Sequence, residues 1–346
     1  MYRKIMGFLE AWKENEHRKP LILQGARQVG KTYSILEFGR IHYENVAYFN
    51  FETNPKLNET FEEKISPDYL IPILSHIAGQ TIVKEKTLIV FDEVQLCERA
   101  LTSLKYFCED APDYHIIVAG SLLGVAVNRA KFSFPVGKVD MKTLYPMDME
   151  EFMIAVGEDE LVEQIKKCFE TNRPMPSALH DAAMQLYRQY LVVGGMPECV
   201  MQFVQTGDYI LIRHTQDTIL TSYLNDMSKY NNLNEIKKTR LAYDNITVQL
   251  SKKNTRFQYK LIKKGGRASE FKNAIEWLCL SGIVSQVYRV EQIKKPLENY
   301  RDIDAFKIYV SDLGLLCAKK DLAANDILYM VEAVSYTHLT LPTIRL

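Results

Sequence analysis

Apolar positions at helical spacing open the chain: Tyr2, Ile5, Met6, Leu9 and Trp12 recur every three to four residues and predict an amphipathic helix. The apolar run Leu21–Leu23 predicts a short buried strand ending in a glycine-rich turn, after which Tyr33–Phe38 returns to helical spacing. Val46–Phe51 alternates and is aromatic, the pattern of a strand. Leu70–Ile82 reads as a helix, Leu88–Phe91 as a buried strand, Leu101–Phe107 as a helix, His115–Ala119 as a strand and Lys138–Leu144 as a fifth strand. Strands alternating with helices predict a parallel sheet covered on both faces, with right-handed crossovers. From about Glu150 to Val204 the pattern is helical, broken by Asn172-Arg-Pro-Met-Pro and Gly194-Gly-Met-Pro197. Helical periodicity continues over Ile236–Leu250 and Phe271–Leu280, and Ile283–Val290 and Ala305–Val310 read as two strands joined by a charged loop.

A chain of 346 residues is too long for one core and predicts two or three domains. Hydrophobic residues make up 47% and charged residues 25%, as in water-soluble globular proteins, and no apolar run approaches the ~20 residues of a membrane span. Cys97, Cys108, Cys168, Cys199, Cys279 and Cys317 are scattered through apolar segments without a Cys-x-x-Cys pair. That argues against a zinc knuckle or a disulfide framework and predicts reduced thiols in a cytoplasmic protein. The histidines show no metal spacing, and His115, beside an apolar strand, reads as structural. Lys plus Arg and Asp plus Glu both number 43, so only local charge can bear on partners.

The turn after the first strand carries the chemistry. Gly25, Ala26, Arg27, Gln28, Val29, Gly30, Lys31 and Thr32 fit the spacing Gly-x-x-x-x-Gly-Lys-Ser/Thr of a phosphate-cradling loop. Its glycines let successive backbone N–H groups point inward at phosphate, and the following helix presents its positive end to the same anion. Lys31 is then expected to reach the β- and γ-phosphates, and Thr32 to ligate Mg²⁺. The run Leu88-Ile-Val-Phe-Asp92-Glu93 delivers a carboxylate to the carboxyl edge of the sheet, where Asp92 is suited to the Mg²⁺ hydration shell and Glu93 to polarising the attacking water. GTP switches carry Asp-x-x-Gly here and Asn-Lys-x-Asp later; this chain has Asp92-Glu-Val-Gln95 and no Asn-Lys-x-Asp, which favours ATP. A nucleotide kinase has less use for a water-activating Glu. Ser121, after Ile116-Ile-Val-Ala-Gly120, is a candidate contact to the γ-phosphate or the lytic water, with an ordinary turn serine as the alternative.

Together with Phe49-Asn-Phe-Glu52, Phe91-Asp-Glu-Val-Gln95, Ala119-Gly-Ser121, Leu144-Tyr-Pro-Met-Asp-Met-Glu-Glu-Phe152 and Tyr190-Leu-Val-Val-Gly-Gly-Met-Pro-Glu198, the loop resembles a prokaryotic family of AAA-type P-loop ATPases, from the first helix to about residue 330. The resemblance implies an α/β P-loop core of the additional-strand, Asp-Glu class, then a helical lid, a winged helix and a restriction-endonuclease-like C-terminal domain of unknown function. The expected layout is an ATPase core over 1–150, a lid or linker over 151–230, a winged helix over 231–318 and the start of the C-terminal domain over 319–333. Residues 334–346 depart from the family pattern and read as a non-native tail, with the nuclease-like domain truncated. Many family members have Arg after the glycine of the segment Phe134-Pro-Val-Gly137-Lys138. Lys138 supplies charge without the bidentate fork of an arginine finger, which leaves Arg129 as a fallback.

From Lys237 to Lys272 eleven cations face only Asp244 and Glu270. Such an excess is the electrostatic footprint of phosphate binding and predicts contact between 231–315 and duplex DNA, with Ala268–Leu280 as recognition helix. The competing readings are a solvated basic face, a lid that closes over the ATPase core, and a protein partner for the same face. The expected activity is Mg²⁺-dependent ATP hydrolysis coupled to domain rearrangement, with an ATP-switched DNA-binding protein or an interaction scaffold as alternatives.

Overall fold

The computed structural model describes residues 1–121, 134–229, 233–252 and 256–329. Arg129 and the tail 334–346 lie outside the described residues. The chain divides into two units, one of Arg3–Tyr145 and one of Pro146 onward together with Met1 and Tyr2.

The first unit holds five parallel strands: β1 (Leu21–Gln24), β2 (Asn45–Asn50), β3 (Thr87–Asp92), β4 (His115–Gly120) and β5 (Asp140–Thr143). Their order across the sheet is β2-β3-β4-β1-β5. β4 therefore stands between β1, which feeds the glycine-rich loop, and β3, which ends in Asp92, and it is the additional strand of its class. Every residue of β3 and β4 is buried, which is why both read as unbroken apolar runs rather than alternating ones.

Helices α1 (Ile5–Glu14), α2 (Lys31–His42), α3 (Lys56–Glu63), α4 (Pro67–Ala78) and α5 (Glu98–Asp110) belong to this unit. α4 begins earlier than Leu70 because Pro67 suits a first helical turn, and it stops before Ile82 because Gly79 turns left-handed at φ 66°. α3 offers only two buried apolar residues, Leu57 and Phe61, too few for a periodicity. Phe61 nonetheless closes a ring cluster with Phe51 and Phe91, at centroid separations of 5.6–5.8 Å.

The second unit is mostly helical: α6 (Met149–Ala155), α7 (Asp159–Glu170), α8 (Ser177–Val193), α9 (Pro197–Thr206), α10 (Tyr209–Lys229), α11 (Leu233–Ser251), α12 (Tyr259–Ile262) and α13 (Ala268–Leu280). An antiparallel pair follows, β6 (Val284–Val290) with β7 (Arg301–Val310), then α14 (Leu313–Lys319) and α15 (Ala324–Leu328). The Asp148-to-Glu151 part of the family motif is a capping box that starts α6.

Gly194 and Gly195 form a packing hub. Tyr190 donates its hydroxyl to Met147 O at 2.8 Å, Gly195 O accepts from Met147 N at 2.7 Å, and the buried Asp312 carboxylate accepts from Gly195 N at 2.6 Å. A Cβ on Gly195 would stand 1.9 Å from Met147 O, so the backbones meet only because this residue is glycine. Burial raises the Asp312 carboxyl to about 6, while N–H groups of Leu315, Gly195 and Gly314 hold it down against that pressure.

All six cysteines are free. Among the described residues no group of His, Cys, Asp and Glu is arranged to hold a metal ion by itself, and no helix is long and apolar enough to cross a membrane.

Candidate functional site

Because the five strands are parallel, their carboxyl ends share one edge, and the predicted residues arrive there from different strands. The loop from Gly25 leads into α2 with Gly30 at its N-cap, in the left-handed region at φ 88°, which glycine adopts at least cost. Lys31 is buried, and its ammonium donates to Gly25 O at 2.9 Å and Ala26 O at 2.8 Å. The side chain is thus folded back along its own loop. Val29 is fully buried and anchors the loop to the core. A buried cation, Arg3, braces it from α1's approach, donating to Val29 O at 3.0 Å and Tyr145 O at 2.8 Å. Arg3 was invisible as a site residue, since its partners are backbone carbonyls far along the chain.

Thr32, in the first turn of α2, donates its hydroxyl to Asp92 Oδ2 at 2.8 Å. The other oxygen, Oδ1, accepts from Glu93 N at 2.9 Å. Glu93 itself has φ 51° and ψ 39°, a left-handed backbone that is uncommon outside glycine and ends the strand abruptly in a turn. Its carboxylate accepts a hydrogen bond from Gln95 Nε2. Ser121 follows β4, is buried, and has its hydroxyl 3.5 Å from Glu93 Oε2, the outer limit of a hydrogen bond. Gln95 Oε1 is buried without a hydrogen-bond partner among the described residues, an acceptor beside Glu93.

Two further residues reach the site from β2. Tyr48 donates its hydroxyl to Asp92 Oδ2 at 2.7 Å, and Asn50 Nδ2 lies 3.2 Å from that hydroxyl. Burial, with the neighbouring Asp92 and Glu93 carboxylates adding to it, raises the Tyr48 phenol to about 12, so it is a proton donor at neutral pH. In the sequence both are ordinary members of an alternating aromatic strand. Only the pairing of β2 with β3, which sets Asn50 opposite Asp92, brings them to the site.

The structure therefore brings Thr32, Asp92, Glu93 and Ser121 together around one strand edge, with the loop Gly25–Thr32 at that edge. It does not bring Lys138 there. Lys138 precedes β5, at the opposite edge of the sheet, and pairs with Glu109 at 2.9 Å on the last turn of α5. The oxygens of Thr32 and Asp92 are the hard, converging donors that a small divalent cation takes, so the residues present fit Mg²⁺.

The fold and this edge define a P-loop nucleotide-binding class with an additional strand. Residues 17–153 match the family described as AAA domain, and residues 184–326 match one described as Domain of unknown function (DUF8612). The loop and the Asp92-Glu93 strand end thus lie within the AAA-domain match, which suggests ATP binding and hydrolysis, and the match to a domain of unknown function covers most of the second unit. The second match runs from α8 into α15, across the boundary expected at 230/231. Among solved structures the chain is similar to the Walker-type ATPase PABY2304 of Pyrococcus abyssi, at 14% identity over 92% of this chain and 95% of that one, with a TM-score of 0.54. It also matches the Aeropyrum pernix ORC2 protein (ADPNP-ADP complexes) at 12% identity over 95% of each chain, with a TM-score of 0.44. At 14% identity the first likeness is one of fold. No curated protein matches the chain.

Proposed function

We propose that the first unit binds Mg²⁺·ATP at the loop Gly25–Thr32 and hydrolyses it, and that turnover changes the state of the second unit. The observation that carries this reading is the Thr32–Asp92 hydrogen bond of 2.8 Å with Glu93 next in the chain. It joins a phosphate-cradling loop to a cation-holding and a proton-accepting carboxylate at one strand edge. In this reading the N–H groups of Gly25–Thr32 bind the phosphates, and Lys31 leaves Gly25 O and Ala26 O to pair with them. Thr32 and Asp92 hold Mg²⁺, which when bound neutralises charge on the phosphates. Glu93 accepts a proton from the attacking water, Gln95 restrains its carboxylate, and Ser121 orients the water or the terminal phosphate. The test is ATP turnover and ATP calorimetry on the protein and on Lys31→Ala, with Mg²⁺ and with chelator. Unchanged ATP affinity in Lys31→Ala would remove the nucleotide site from this loop.

A second reading, that residues 231–315 bind duplex DNA, is favoured by one observation. Lys237, Lys252, Arg256, Lys260, Lys264, Arg267 and Lys272 are all exposed. They lie on or between α11, α12 and α13, ahead of the β6–β7 hairpin, an element order that fits a winged helix. Lys238 and Lys263 are already paired with Glu235 and Glu270, both at 2.9 Å, and contribute less. A protein partner with an acidic face is the competing occupant.

A further inference from the structure

Asp92 Oδ2 accepts two hydroxyls, from Thr32 at 2.8 Å and from Tyr48 at 2.7 Å, while Oδ1 accepts the Glu93 N–H at 2.9 Å. Thr32 and Glu93 N–H are parts of the two motifs themselves. Tyr48 is an addition from the neighbouring strand, and its side chain has a definite hydrogen-bond polarity. Asn50 Oδ1 accepts from Glu52 N and Thr53 N, both at 2.9 Å. An amide oxygen that faces two backbone donors leaves the amide nitrogen to face the other way, toward the Tyr48 hydroxyl at 3.2 Å. That nitrogen can only donate. The Tyr48 oxygen therefore accepts from Asn50, and its own proton goes to Asp92. The turn after β2 thereby sets the direction of a two-bond chain that ends on the carboxylate.

We propose that Tyr48, braced by Asn50, is a positioning residue that fixes the rotation of the Asp92 carboxylate so that Oδ2 is presented together with the Thr32 hydroxyl to the divalent cation. Tyr48 does not touch the nucleotide in this account; it acts through Asp92. A carboxylate held by Thr32 alone on that oxygen is freer to rotate, and ordering it on cation binding costs affinity that Tyr48 supplies in advance. The proposal rests on the Mg²⁺·ATP reading of the loop.

The test is calorimetry of ATP binding to the full chain, in chelator and in Mg²⁺, for the protein, for Tyr48→Phe and for Lys31→Ala. Phe keeps the ring, and Tyr48 is 38% exposed at the sheet edge, so the variant should fold; its melting curve checks this. The expected result is metal-free ATP affinity unchanged in Tyr48→Phe and an Mg²⁺-dependent gain in affinity smaller by about three- to ten-fold, the scale of one lost hydrogen bond. Lys31→Ala should instead lose affinity under both conditions. A full Mg²⁺-dependent gain in Tyr48→Phe overturns the proposal while leaving the nucleotide site intact. So does an equal loss with and without metal, which would make Tyr48 a structural residue. Absence of ATP binding by the protein itself would overturn the nucleotide reading, and the role of Tyr48 with it.

Discussion

The hydroxyl of Thr32 lies 2.8 Å from the carboxylate of Asp92 although sixty residues of chain separate them. One oxygen comes from the first turn of α2 and the other from the end of β3, so the pair exists only when the sheet is assembled. Replacing Thr32 with Val keeps the branched shape and removes the one oxygen. We expect Thr32→Val to fold normally and to lose Mg²⁺-dependent ATP turnover by about 10- to 100-fold, in line with losses at metal-site partners. Turnover within a factor of two of the unaltered protein would exclude Thr32 from the cation site.

Glu93→Gln separates binding from hydrolysis. The amide is nearly isosteric and leaves the Asp92 contact, which uses the backbone N–H of Glu93, in place. It cannot take up a proton as a carboxylate does. The variant should bind Mg²⁺·ATP with near-normal affinity and turn over more slowly by roughly 10²–10⁴-fold, the usual contribution of a general base. Near-normal turnover would dismiss Glu93 as the base and reopen transfer of phosphate to a small acceptor.

How far these positions could be read in advance depends on how local their physics is. The phosphate loop and the Asp92-Glu93 strand end were legible because each needs fixed residue types at fixed spacing beside an apolar run. The five strands were legible for the same reason, with β3 and β4 showing as continuous apolar runs because both their faces are covered. Tyr48 and Asn50 were not, because their role follows from a register between β2 and β3 that neither segment specifies alone. Arg3 was hidden by partners at Val29 and Tyr145. The Gly194-Gly195 pair carries part of the family resemblance, yet its contacts to Met147 and Asp312 show a packing requirement within the second unit.

That requirement gives a stability prediction. In Gly195→Ala the new methyl would stand 1.9 Å from Met147 O and 2.8 Å from Met147 N, both backbone atoms that cannot swing aside. Overpacking of this kind costs about 1–3 kcal/mol, and a unit of this size should lose about 3–10 °C in melting temperature. Gly7→Ala is the control: it lies within α1, its new Cβ has nothing within 4 Å, and helix propensity favours Ala. Equal melting temperatures for the two variants would refute the close-approach account of Gly195.

His115 supplies a pH dependence for the first unit. Its Nδ1 lies 2.7 Å from the Tyr43 hydroxyl and its Nε2 is buried without a hydrogen-bond partner among the described residues. Burial first, then the nearby cations Arg18 and Lys13, push the imidazole down to about 4 from an ordinary value of 6.5. A histidine whose value is depressed on folding contributes stability that is full above the unfolded value and lost as pH falls toward the folded one. The first unit should therefore lose stability between pH 6.5 and pH 4, the window set by that shift. Imidazole C–H resonances followed by NMR should show one histidine titrating near 4. If every histidine titrates near 6.5, His115 is not held neutral by its surroundings.

The DNA reading makes a prediction that depends on salt more than on affinity. Seven exposed cations, Lys237, Lys252, Arg256, Lys260, Lys264, Arg267 and Lys272, lie within one segment of a chain whose formal net charge is zero. The exposed positions of α13 include Ser269, Lys272, Asn273 and Glu276, which mix both signs of charge with neutral groups. Backbone contact with little base preference is therefore expected. If about half of those cations reach phosphates, the logarithm of the affinity should fall against the logarithm of salt with a slope of about −3 to −4. Arg267→Ala and Lys272→Ala should each reduce the slope by about one while leaving the melting temperature unchanged, since both side chains are exposed. Fluorescence anisotropy with duplexes of two unrelated sequences, at about 50 mM and about 200 mM salt, reads all of this. At the lower concentration the screening length is longer and the electrostatic attraction is near its strongest. Absence of binding there, by protein shown to be folded and to bind ATP, would withdraw DNA and leave an acidic protein surface as the partner for this face.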